Sequence, residues 1–227
     1  MRDFSIVCNL QLVLQPSWLD NFREQYDDNH PYHVTLKNST YLRTGSEEEL
    51  KEKLQKVLVM YKQFTLSFKN VFHSLTKRGE CIMISVELNS QIDYLVQLQK
   101  EIRSEFSNYG EHIKPAFRQY EEDFTPHLTI GRHLDSEMFA KAWKEIESHQ
   151  DDTLCKAKID RILLVFAEAY NEQEDETSRV SFEYVLEQLD LLEYEEFMLN
   201  IVLYTAHEHL NSVQSIFNLY HELYYSF

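Results

Sequence analysis

Cysteine, glycine, proline and positive charge are all scarce in this chain of 227 residues. The 3 cysteines, Cys8, Cys81 and Cys155, are scattered and odd in number, which excludes a disulfide framework and offers no CxxC metal spacing. A reducing compartment is their natural setting. With 4 Gly and 4 Pro there is no material for low-complexity linkers or collagen-like sequence. Lys and Arg total 22 against 38 Asp and Glu, and the net charge of −16 argues against a broad grip on nucleic-acid phosphates, which needs a basic footprint. An anionic substrate must therefore meet a locally positive pocket. No apolar run reaches the roughly 18 to 20 residues of a membrane span. The stretch from Phe4 to Leu14 is apolar, but Asn9 and Gln11 interrupt it and no small-residue cleavage site follows, so it is expected as a strand. The chain is accordingly expected to be soluble and cytoplasmic, with no membrane partner.

The 43% apolar and 13% aromatic residues that remain are enough for a real core. After the first strand, Pro16 opens a helical pattern at Trp18, Leu19 and Phe22, and Tyr32 to Leu36 forms a short strand entered through Pro31. Ser46-Glu47-Glu48-Glu49 has the form of a capping box, followed by Leu50, Leu54, Val57, Leu58 and Tyr61 at helical spacing. Phe64 to Leu75 and Cys81 to Leu88 form a hairpin about Thr76-Lys77-Arg78-Gly79, and Ser90 caps a helix carrying Leu95, Leu98 and Ile102. From His127 the order starts again: strand, helix from Asp135 or Ser136, strand at Ile159 to Phe166. Asn171 to Ser178 is a solvated acidic loop leading to a last strand near Val180 to Val185.

Two short strings stand out, Tyr32-His33-Val34-Thr35-Leu36 and Pro126-His127-Leu128-Thr129-Ile130, each His-apolar-Thr-apolar. With 10 His in the chain and a similar number of Thr, chance gives roughly 0.4 HxT strings, and about 0.08 once both apolar positions are required, so the pair is informative where either alone is not. In a strand, His and Thr point to one face while Val34 or Leu128 points to the core. If the two lobes meet about a pseudo-twofold axis, two imidazoles and two hydroxyls converge on one cleft. That set suits phosphodiester cleavage: one imidazole accepts a proton, the other donates one to the leaving oxygen, and the Thr hydroxyls bond the non-bridging oxygens as charge builds. Neither a metal nor a cofactor is required. Either imidazole can take either role.

These residues resemble the two-histidine (2H) phosphoesterase superfamily, which includes 2′-5′ RNA ligase-like and 2′,3′-cyclic nucleotide phosphodiesterase enzymes and is defined by two HxT motifs roughly a hundred residues apart. The segment from Phe124 to Arg132 looks especially like its second motif. The resemblance covers about residues 1–190 and implies His33 and His127 as the acid/base pair, with Thr35 and Thr129 as phosphate ligands. It implies an α+β fold: a bilobal catalytic domain over 1–190, two pseudo-twofold-related antiparallel-rich sheets around a central cleft, and helices outside. A helical C-terminal extension over 191–227 is expected from its own apolar spacing, offering contacts for a second copy or a protein partner. The implied activity is metal-independent opening of a 2′,3′-cyclic phosphate on a nucleotide or RNA end. The resemblance also allows cleavage of 2′-5′ linked oligonucleotides or cyclic signalling nucleotides, and RNA 2′-5′ ligation by the reverse reaction. A non-catalytic nucleotide-binding module is the reading from another class.

Around the motifs, counting in twos puts Lys37 on the face of His33 and Thr35, where it would supply positive charge to the substrate; a solvated strand end is the alternative. Where relatives often continue with an apolar residue, this chain has Lys37-Asn38. Arg132 falls on the opposite parity from His127, so contact with phosphate needs the strand to have ended at Gly131, which itself would allow a ligand close approach. Tyr32 and Phe124 would stack on a base or pack beside the cleft. His133 lies within reach of the cleft mouth, whereas His207, His209 and His221 are expected as surface residues rather than a metal site.

Overall fold

The computed structural model describes residues 2–27, 30–88, 90–149, 154–168 and 179–186. In chain order the elements are β1 (Arg2–Leu14), α1 (Leu19–Tyr26), β2 (His33–Leu42), α2 (Glu47–Leu58), β3 (Phe64–Thr76), β4 (Gly79–Val86), α3 (Ser90–Phe106), β5 (Gly110–His112), α4 (Pro115–Glu122), β6 (His127–Leu134), α5 (Ser136–Glu147), β7 (Cys155–Glu168) and β8 (Arg179–Val185). Local chemistry sets the helix starts. The Ser46 hydroxyl accepts from the Glu49 amide at 3.2 Å, and Asp135 accepts from the Met138 amide at 2.8 Å, so Asp135 is the cap and Ser136 the first helical residue. Strand β5 and helix α4 are additions to the expected order, α4 beginning at Pro115, whose fixed φ suits a first helical turn.

All eight strands form one antiparallel sheet in the order β5-β2-β1-β7-β3-β4-β6, with β8 also paired to β7. The class is α+β, and the pseudo-twofold relation is visible in the path. One half runs β2-β1-β7 and the other β6-β4-β3, each with its HxT strand outermost of the three. The third strand of each half comes from the opposite repeat, because the crossover after β2 delivers β3 and that after β6 delivers β7. The two expected sheets are thus joined through the β7–β3 pairing, Phe64 opposite Ile159. The sheet curls until β2 and β6 lie within 8 Å of each other, Cα to Cα.

One face of the sheet carries the core. Phe4, Ile6, Cys8 and Leu10 of β1 are buried, as are Val34, Leu36, Leu128, Ile130, Leu66 and Phe68. The helices cover this face: Phe106 of α3 meets Phe4 at 6.1 Å between ring centroids, while Phe139 and Trp143 of α5 pack on His73 at 4.9 and 5.0 Å. Fully burying a side chain such as Phe4, Leu66 or Phe106 contributes about 1.5–3 kcal/mol against the chain entropy lost. The other face carries the His and Thr side chains. Among the described residues no helix is long and apolar enough to cross a membrane. The expected C-terminal helices and the acidic loop lie outside the described residues.

Candidate active site

The two motifs sit in matching registers. His33 opposes Asn9, Val34 opposes Cys8 and Thr35 opposes Val7 on β1; His127 opposes Ser85, Leu128 opposes Ile84 and Thr129 opposes Met83 on β4. Val34 and Leu128 are fully buried, so alternation turns His33, Thr35, His127 and Thr129 to the opposite, partly open face.

Each motif strand then bulges at the residue after its threonine. Thr35 pairs with Val7 but Lys37 with Ile6, leaving Leu36 extra; Thr129 pairs with Met83 but Gly131 with Ile82, leaving Ile130 extra. A bulge sets two residues against one and reverses the parity beyond it. This has opposite consequences for the two cations. Lys37 is carried off the motif face into the core, 2% exposed, with Nζ 3.3 Å from Glu121 Oε2 and 5.9 Å from the centre of the Phe4 ring. The expectation that Lys37 meets substrate is therefore corrected: the alternation count fails because the bulge intervenes. Burial pushes the Lys37 ammonium below its ordinary range, and Glu121 opposes that shift. Gly131 also turns inward, its Cβ position 3.4 Å from the carbonyl oxygen of Tyr26, so it packs on α1 instead of admitting a ligand. Arg132 is carried onto the motif face without the strand ending.

Arg132 is held there by Asp27, with Nε 3.4 Å from Oδ1 and the carboxylate fully buried. The other oxygen of Asp27 accepts from Arg23 Nε at 2.9 Å and Nη2 at 2.5 Å. The Arg23 guanidinium lies over the Tyr32 ring, 3.9 Å from its centre, and donates to the carbonyl of His30. Tyr32 thus stacks on a protein cation, and that face of its ring is covered.

The imidazoles share one orienting device. His33 Nδ1 lies 2.9 Å from the carbonyl oxygen of Pro31, and His127 Nδ1 lies 2.9 Å from that of Thr125. A carbonyl only accepts, so Nδ1 carries the proton in both rings, and in the neutral form the basic lone pair is on Nε2. Burial holds both histidines below the ordinary imidazole range, partly offset by these carbonyl bonds, and the positive charge of Arg132 adds to the depression of each. His30 and His127 add further to that of His33. Arg132 therefore acts on both imidazoles.

Sequence reasoning missed the neighbours of His127. The rings of Phe72 and Tyr120 meet it edge to face at 5.9 and 5.8 Å, and the Tyr120 hydroxyl donates a long 3.4 Å bond to the Thr35 carbonyl. Tyr120 thus ties one motif strand to the ring of the other. Phe124 is half-buried, packs on Tyr120 at 6.1 Å, and helps line an open pocket of about 700 Å³ with Gln99, Arg103 and Glu121. His133 is exposed and takes a positive φ of 54°. Nothing local marked Tyr120 or Glu121 as partners of the motif strands. Among the described residues no three His, Cys, Asp or Glu side chains are grouped to hold a metal ion; His207, His209 and His221 lie outside them.

A model of the 2′-5′ RNA ligase superfamily matches residues 12–170, a span that holds both motifs. The chain belongs to this superfamily. The two-histidine resemblance carried by the HxT strings is therefore a family relation, and the chain's coarse class is that of the 2H phosphoesterases. A protein of Geobacillus thermodenitrificans (strain NG80-2) named "Putative phosphoesterase" is 26% identical over 167 residues, covering 68% of this chain and 86% of its own length. Among solved structures, a phosphoesterase crystal structure is similar with TM-score 0.46 and 16% identity, over 83% of this chain and 100% of that one. E. coli LigT complexed with 3′-AMP gives 0.43 and 16% over 82% and 99%, and Kluyveromyces marxianus Usb1 gives 0.45 and 10% over 80% and 98%.

Proposed function

We propose that this chain is a phosphodiesterase that opens a 2′,3′-cyclic phosphate on a nucleotide or RNA end. The reading rests most on the twin bond of each Nδ1–H to the carbonyl two residues earlier, which leaves two basic Nε2 atoms on one face. One neutral imidazole takes a proton from water as its oxygen attacks phosphorus. The other, as imidazolium, gives a proton to the departing ribose oxygen, and the net reaction is addition of one water across one P–O bond. Thr35 and Thr129 donate to the non-bridging oxygens, and Arg132 offsets their charge as the transition state forms. A five-membered cyclic phosphate is strained, so positioning and proton transfer account for much of its opening. Burial favours neutral imidazoles, and the substrate's negative charge favours protonating one of them on binding.

The test is turnover of 2′,3′-cyclic mononucleotides and a 2′-5′ dinucleotide in excess chelator, comparing the intact chain with His33→Ala and His127→Ala. The expected result is chelator-resistant ring opening that falls about 10²- to 10⁴-fold in each variant, the usual range for a lost acid or base. Turnover that requires added metal, or that survives both replacements, would overturn the reading.

A further inference from the structure

The sheet face that carries the motifs also carries a group of cations that the reaction does not use. On β7, Cys155, Ala157 and Ile159 are buried while Lys156 is exposed and Lys158 half-exposed; past Asp160, Arg161 is exposed and Ile162 is buried. Register places these cations on the motif face. Asn9 is opposed on one side by His33 and on the other by Arg161, and directly opposed residues share a face. Gln11 and Thr65 flank Lys158 in the same way, and Ser67 opposes Lys156. Two strand spacings separate the His33 row from β7, about 10 Å, and β7 lies between the two motif strands in the path of the sheet. Asn9, Gln11, Thr65 and Ser67 flank these cations, with the exposed Leu14 also opposite Lys156 and the exposed Val185 opposite Arg161, while the other face of β7 is apolar. In a chain of net charge −16 this is a local concentration of positive charge. Asp160 lies 3.3 Å from Lys158 and 3.5 Å from Arg161, and Glu183 lies 3.7 Å from Arg161, so carboxylates hold part of the cluster in place and neutralise part of it.

We propose that Lys156, Lys158 and Arg161 seat phosphates of a single-stranded polynucleotide beyond the one being cleaved, so that the substrate is an oligonucleotide end and not a free cyclic mononucleotide. This rests on the phosphodiester reading above. Charge complementarity selects the occupant: exposed cations hold a flexible polyanion without reading its bases. The chain's overall acidity confines that grip to the cleft floor.

The test is binding of a fluorescent single-stranded oligoribonucleotide bearing a 3′-phosphate to the full chain across a salt series. The variant Lys156→Ala/Lys158→Ala/Arg161→Ala is compared with a control, Lys56→Ala/Lys100→Ala/Lys141→Ala, which removes equal charge from exposed positions on the helices. The expected result is about tenfold weaker binding at low salt and a salt slope smaller by about 2 for the β7 variant, with the control close to the intact chain. In turnover, the β7 variant should lose about tenfold in kcat/KM on an oligonucleotide ending in a 2′,3′-cyclic phosphate and keep its rate on a cyclic mononucleotide. Equal binding by the intact chain and the β7 variant, or an equal loss in the control, overturns the proposal and leaves the phosphodiesterase reading standing. Salt-dependent binding lost only in the β7 variant, with no turnover of any substrate, supports the binding surface and sinks the phosphodiesterase reading instead.

Discussion

Replacing Lys37 by methionine separates the two roles that a lysine after an HxT string can have. In the structure its ammonium is 3.3 Å from Glu121 Oε2, with the two side chains 2% and 1% exposed. At an effective dielectric constant near 20, that separation corresponds to about 5 kcal/mol of attraction. Removing one partner of a buried pair typically costs about 3–5 kcal/mol, because the other charge stays buried. Glu121 keeps the Asn38 amide at 2.7 Å and has His112 Nε2 at 2.9 Å, so the low end, about 3 kcal/mol, is expected. Urea unfolding reads this directly, and Lys37→Met/Glu121→Gln should recover a large part of the loss because no uncompensated carboxylate remains. KM for a cyclic phosphate, measured on the folded fraction, should be unchanged. Unaltered stability together with a raised KM would refute the reasoning and return the ammonium to the cleft.

Asp27→Asn should lower kcat/KM by about tenfold, since it releases the guanidinium that faces both imidazoles; the double variant with Arg132→Met should be no slower than Arg132→Met alone. Both imidazoles are held below the ordinary value of about 6.5, so the folded chain binds fewer protons there than the unfolded one. Their contribution to stability is complete above pH about 6.5 and is lost as pH falls through the folded values, and His33→Asn/His127→Asn should flatten that part of an unfolding series between pH 7.5 and 5. The acid limb of kcat/KM should lie below 6.5 and move to higher pH in Arg132→Met, where a neighbouring cation is gone; an unmoved limb counts against the placement of Arg132. Gly79→Ala should cost about 2 kcal/mol or more in thermal unfolding, because φ is +126° and a Cβ would stand 2.5 Å from the Leu134 carbonyl oxygen.

What was legible in the sequence followed local rules. Ser46 and the apolar spacing after it marked α2, Gly79 marked the hairpin turn, and the alternation around Val34 and Leu128 assigned the face of both His-Thr pairs. What was not legible depends on pairing between distant strands. The bulges at Leu36 and Ile130 exist only relative to β1 and β4, so nothing local showed that they exchange the positions expected for Lys37 and Arg132. The same holds for Asp27, Tyr120 and Glu121, ordinary helix-end and surface residue types until α1 and α4 dock beside the motif strands. The swap of β3 and β7 between the halves is likewise a property of topology, invisible to a repeat that matches in order alone.

The central claim is that His33 and His127 act together in one proton-transfer scheme, and single-turnover cleavage of a 2′,3′-cyclic phosphate by the intact chain, each single alanine variant and the double variant tests it most directly. The account predicts single losses of about 10²- to 10⁴-fold and a double variant little slower than the worse single, as for residues that work as a unit. Losses that multiply, or a single variant within a few-fold of the intact rate, would contradict it.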